Sequence, residues 1–119
     1  MSDQVLDDGE RAALAAVLAV ILPSTSGPGA TEARAADHAC ARLEGPLAHR
    51  LDDLRPVLAR AAEDPEGTVA DLADAGDPRF EELRSLAWEG FLCDPARGGN
   101  QEGVGWARFG TGPRRKARR

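Results

Sequence analysis

The stretch Asp7-Asp8-Gly9-Glu10-Arg11-Ala12-Ala13-Leu14-Ala15-Ala16-Val17-Leu18-Ala19-Val20-Ile21-Leu22-Pro23 sets the character of the chain. Asp7 and Glu10 stand three apart, the spacing of a capping box, and Leu14, Val17, Leu18 and Ile21 then recur at i, i+3, i+4 and i+7. A helix over about Asp8 to Leu22 is predicted, ending where Pro23 and Ser24-Thr25-Ser26-Gly27-Pro28-Gly29 supply breakers in succession. The apolar run Ala12 to Leu22 is far shorter than the roughly 20 residues that span a bilayer, so no membrane span is expected.

Similar signals continue downstream. A second helix is expected from near Thr31, with Ala36, Ala39, Cys40 and Leu43 forming a narrow face of small residues and Gly45 ending it in the left-handed conformation. Pro46 suits a first helical position. Leu47, Leu51, Leu54, Leu58 and Ala61 then make an apolar stripe, which Pro56 interrupts, so a kink or break is expected near Arg55. Asp64-Pro65-Glu66-Gly67 reads as a turn, with Thr68 and Asp71 capping a short, weak helix from Val69 to Ala75. Asp77-Pro78 is a strong start signal for a last helix to about Leu92, lined by Phe80, Leu83, Ala87 and Phe91.

From Cys93 to Pro113 the glycines Gly98, Gly99, Gly103, Gly105, Gly110 and Gly112, with Pro95 and Pro113, exclude a regular helix. Trp106 and Phe109 within it imply that the segment folds back on the helices or packs on another protein. The fold class expected is therefore all-α, a small bundle of about five helices with a glycine-rich, non-helical C-terminal segment. One domain over residues 1–113 precedes a basic tail, 114–119, expected to be disordered. The chain has 119 residues and a formal net charge of −5, yet the last six residues hold five positive charges. Residues 1–113 therefore carry −10, from 10 basic and 20 acidic side chains. With no tyrosine and few aromatics, the core must be built from alanine and leucine on closely packed helices.

The chemistry-bearing candidates are sparse. Cys40 and Cys93 belong to no CxxC or Cys/His pair and read as small buried hydrophobes. His38 and His49 read as surface or half-buried imidazoles without a catalytic or metal partner nearby in sequence. Asp52 with Asp53, and Glu81 with Glu82, are neighbours on a helix and point about 100° apart, so they read as solvated faces rather than acid/base pairs. The glycines carry no Gly-Lys-Ser or Gly-Lys-Thr and follow a helix where nucleotide fingerprints follow a strand. No catalytic constellation is legible, so the chain is not expected to be an enzyme, to hold a cofactor or to bind a metal.

The segment Trp88-Glu89-Gly90-Phe91-Leu92-Cys93-Asp94-Pro95-Ala96-Arg97-Gly98-Gly99-Asn100-Gln101-Glu102-Gly103-Val104-Gly105-Trp106 resembles the C-terminal signature of the gluconate 2-dehydrogenase subunit 3 family. That pattern runs Glu-Gly-Phe, two variable residues, Asp-Pro, two more, Gly-Gly-Asn, two more, Gly, two more, Trp, and each position is matched. Ile21-Leu22-Pro23 and Pro28-Gly29-Ala30 also look like the family's first helix and loop, whereas the match between Glu44 and Ala75 is only general. The resemblance implies a small non-catalytic subunit that binds and stabilises a large FAD-dependent sugar or polyol dehydrogenase of the glucose-methanol-choline type. FAD would sit on that partner, and a cytochrome or other electron acceptor would be reached through it. The partner-binding residues expected are Trp88, Glu89, Gly90, Phe91, Asp94, Pro95, Gly98, Gly99, Asn100, Gly103, Trp106 and Phe109. Trp88 and Phe91 suit the chain's own core equally well. Met1 to Glu10 holds no twin-arginine pair, so the expected location is cytoplasmic, or periplasmic by export on a partner's signal. The alternative is a free-standing helical module whose basic tail contacts nucleic acid or another polyanion.

Overall fold

The computed structural model describes residues 6–23 and 29–92, and among them every regular element is helical. In chain order these are α1 (Asp8–Ile21), α2 (Ala30–Ala33), α3 (Ala35–Leu43), α4 (Leu51–Ala61), α5 (Pro65–Ala75) and α6 (Pro78–Leu92). A 3-10 turn over Ala48–Arg50 leads into α4. The expected all-α class is what the structure has. The glycine-rich segment and the tail lie outside the described residues.

Helix α1 starts on the expected capping box: Asp7 Oδ1 accepts the Glu10 amide at 2.7 Å, and Glu10 Oε1 accepts the Asp7 amide at 3.0 Å. Two orphan donors are thereby satisfied by side chains three residues apart. At the other end the Ala30 amide donates to the Leu22 carbonyl at 2.9 Å, closing the loop between α1 and α2. Gly29 makes that closure possible, since a Cβ there would lie 2.7 Å from the Pro23 carbonyl carbon.

The expected second helix is divided. Arg34 takes left-handed angles (φ 56, ψ 43), which separates the single turn α2 from α3. A non-glycine residue pays about 1 kcal/mol or more for that conformation, so packing must impose it. Helix α3 then packs against α6 in the most extensive helix pairing in the bundle. Gly45 does not end α3 in the left-handed region, contrary to expectation. Glu44 (φ −95, ψ 0) closes the helix, and the chain continues in right-handed turns, with the Leu47 amide donating to Arg42 and the Ala48 amide to Gly45.

The helix expected from Pro46 begins instead at Leu51, after the 3-10 turn, and it neither stops nor restarts at Pro56. With the start displaced, Pro56 falls in the second turn, where only the carbonyl of Asp52 loses its helical donor.

Asp64-Pro65-Glu66-Gly67 is a helix start rather than a turn. Asp64 is the N-cap and accepts the Gly67 amide at 3.0 Å, Pro65 opens α5, and a Cβ on Gly67 would press into the Asp64 carboxylate. Thr68, expected as a cap, lies inside α5 and donates its hydroxyl to the Asp64 carbonyl at 2.6 Å. The weak helix thus gains a full turn. Gly76 ends it at φ 66, the one positive-φ glycine among the described residues. Asp64→Ala is expected to lower stability by about 1 kcal/mol, measured as a shift of the urea midpoint without a change in slope.

Asp77-Pro78 opens α6 as the sequence indicates, with Asp77 Oδ1 accepting the Arg79 amide at 2.9 Å. The Arg79 side chain also bonds that carboxylate, and together these bonds lower the Asp77 pKa from 3.8 to about 2. A carboxyl with a depressed folded-state pKa adds stability above its unfolded value and loses it as pH falls through the folded one. Wild type is therefore expected to be more stable than Asp77→Asn at pH 6. The gap should close between pH 3.8 and 2, as urea unfolding at both limits would measure.

The core is aliphatic, as the composition requires. Leu14, Val17 and Leu18 of α1, Leu43 of α3, Leu51, Leu54 and Leu58 of α4, and Leu83 of α6 are fully buried, and Phe91 is the one aromatic among them. Small residues fill the tightest places: Ala35, Ala39 and Ala87 have no exposed surface. Alanine on two facing helices lets the axes approach closely.

Candidate partner-binding surface

The last turn of α6 is where the family-like signature begins, and its first five residues, Trp88 to Leu92, are described. Phe91 is wholly enclosed. Trp88, three residues earlier and hence on the same side of the helix, is only partly covered. The two rings meet edge to face, 5.9 Å between centroids at 86°. Opposed quadrupoles favour this geometry, which props the Trp88 indole against a fixed neighbour while leaving part of it toward solvent.

Gly90 is buried against the start of α3. A Cβ at this position would lie 2.8 Å from the Ala35 carbonyl oxygen and 2.9 Å from its Cα and Cβ. Only glycine allows the helices to cross this closely, so the residue is spent on the chain's own packing.

Glu89 points the other way along the same seam. Its Oε1 is 2.7 Å from His38 Nε2 and 3.4 Å from Arg42 Nε, both on α3. A carboxylate only accepts, so Nε2 carries the proton of this bond. The His38 side chain is 5% exposed and that of Glu89 is 43% exposed. The expectation of a surface or half-buried imidazole is therefore corrected: His38 is buried, because α6 covers it. No local signal could have found this pair, whose members are 51 residues apart in sequence.

Asp94, Pro95, Gly98, Gly99, Asn100, Gly103, Trp106 and Phe109 lie outside the described residues. What the described part defines is the base from which that segment leaves. Glycine against Ala35 and Glu89 on His38 and Arg42 attach the end of α6 to α3, and Phe91 beside them is buried in the core.

Other candidate groups are absorbed by the fold. Arg50 joins the acidic pairs, bonding Glu82 Oε2 at 2.7 Å and Asp53 Oδ2 at 2.6 Å, while Arg84 holds Glu81 at 2.9 Å. Glu82 and Asp53 raise the Arg50 pKa and keep its guanidinium charged. Cys40 is a buried free thiol, and burial pushes its pKa up, the opposite of an activated nucleophile. Among the described residues no three His, Cys, Asp or Glu side chains converge as a metal site would need. None of the described helices is long and apolar enough to cross a membrane. No family model, curated protein or solved structure matches the chain.

Proposed function

We propose that the chain is a non-catalytic small subunit that binds and stabilises a large FAD-dependent dehydrogenase of the glucose-methanol-choline type acting on a sugar or polyol. The flavin, the catalytic base and the substrate pocket belong to the partner, and electrons leave through the partner to a cytochrome or another acceptor. The reading rests on the sequence resemblance over 88–106. One structural observation supports it: the first residues of that signature are held to α3 by Gly90 and Glu89, with Phe91 buried in the core. A segment that leaves a clamped helix end is presented to a partner in a defined direction, and less ordering entropy opposes docking.

Trp88 is the anchor within the described part, being large, only partly buried and packed edge to face with Phe91. Tryptophans of this kind dominate interface energies. The subunit acts by mass action, since a protein that binds only the folded flavoprotein raises its stability.

A flavoprotein of this class encoded beside this chain would be the partner to test. Produced together with the subunit, it should show higher yield and flavin content than when produced alone. Equal yield, flavin content and activity in the two cases would overturn the proposal. Trp88→Ala should weaken the complex about tenfold or more while leaving the subunit folded, as titration calorimetry and circular dichroism would record.

A further inference from the structure

Shallow grooves of the described surface differ in the charge of their walls. Arg34 lines the one between α1, α2 and α3, and Arg60 and Arg79 line the one between α4, α5 and α6. A third, about 270 Å³, runs between α1 and the junction of α4 with α5 and contains no charged side chain. Its floor is Ala12, Ala13, Ala16, Ala61, Ala62 and Pro65.

Acidic residues adjoin the groove's lining along the chain: Asp8 precedes Gly9, Glu63 follows Ala62 and Glu66 follows Pro65. Asp8, Glu63 and Glu66 are exposed, and among the described residues none of the three has a cation within ion-pair distance. The nearby arginines are committed elsewhere, Arg11 to Glu44 and Arg60 to Asp71. An apolar floor with uncompensated carboxylates at its margin suits a long side chain with an aliphatic stem and a cationic head. The same chain supplies such side chains in Pro113-Arg114-Arg115-Lys116-Ala117-Arg118-Arg119, five positive charges against a body of −10. Reach is no obstacle, because the residues between Leu92 and Arg114 extend to about 70 Å.

We propose that the tail 113–119 docks in this groove of its own chain, arginine stems on the alanine floor and guanidinium groups on Asp8, Glu63 and Glu66. The contact is weak and salt-sensitive, as exposed ion pairs are. It keeps the basic run away from other polyanions. It involves a different face from the α6 end and does not depend on the subunit reading.

Alanine-methyl NMR of the full-length chain tests this with no partner present. Replacing Arg114, Arg115, Lys116, Arg118 and Arg119 by serine should shift the methyl signals of Ala12, Ala16 and Ala62. About 1 M salt, where the Debye length is about 3 Å, should shift the wild-type signals in the same direction. The buried Ala87 methyl, 0% exposed, should stay in place and so report an unchanged core. Glu63→Gln with Glu66→Gln should reproduce the tail variant's shifts. Groove methyls that ignore the tail substitutions would overturn the inference. So would shifts that grow with protein concentration, which would place the tail on a second copy instead.

Discussion

Phe91→Ala is expected to destabilise the protein by about 3–5 kcal/mol, the cost of emptying a core site of an aromatic ring. Phe91 has no exposed surface, and it is the one fully buried aromatic among the described residues, in a core made mainly of leucine, valine and alanine. A loss of that size is a large share of the 5–15 kcal/mol that a domain of this kind possesses. The aliphatic neighbours are already in close contact, so they can collapse only partly into the space. The Trp88 ring loses its edge-to-face contact in the same step. Urea unfolding followed by far-ultraviolet circular dichroism would measure it. A midpoint shift worth less than about 1 kcal/mol would mean that the end of α6 is not held as described.

Gly90→Val should cost about 3 kcal/mol, and Gly90→Ala about half of that. Two effects oppose one another at this site. Removing a glycine from a helix interior gains about 1 kcal/mol of backbone entropy when alanine takes its place. Against it stands a new Cβ 2.8–2.9 Å from the backbone and side chain of Ala35, closer than carbon atoms can approach. The helices must part, and overpacking of this kind costs about 1–3 kcal/mol. Overpacking wins because two of the three clashing atoms are backbone and cannot rotate away. Ala35→Gly should therefore rescue Gly90→Ala only in part, since it removes the Cβ contact and leaves the carbonyl oxygen and Cα in place. Thermal unfolding of the two single variants and the double variant would show it. Full rescue would contradict the backbone contact.

These two positions also show how differently a residue reads alone and in the fold. Gly90 and Phe91 stand in a signature that the sequence associates with a partner, and both are enclosed by their own chain. Trp88 and Glu89 keep part of their surface open. That division could not be derived from residue types, because a phenylalanine suits a core and an interface equally well.

Local signals were legible wherever one residue's side chain answers to its neighbour's backbone. Asp7 with Glu10 starts α1, Asp77 with Pro78 starts α6, and the stripe Leu51, Leu54, Leu58 and Ala61 faces inward. The misreading at Asp64-Pro65 has an instructive cause. Proline and glycine two residues apart look like a turn, yet Asp-Pro is the same start signal that was accepted at Asp77-Pro78. Gly67 merely makes room for the capping carboxylate.

Helix class, most helix ends and the aliphatic core follow from the sequence by itself, because capping bonds and 3.6-residue periodicity act within a few residues. The break at Arg34, the burial of His38 under Glu89, and the glycine-to-Ala35 crossing were decided only by tertiary structure. The last two depend on α3 and α6 lying against one another across some 50 residues of chain. Distance along a sequence carries no trace of such contacts, since their energy arises only once two helices, each formed on its own signals, are brought into register by the core they share.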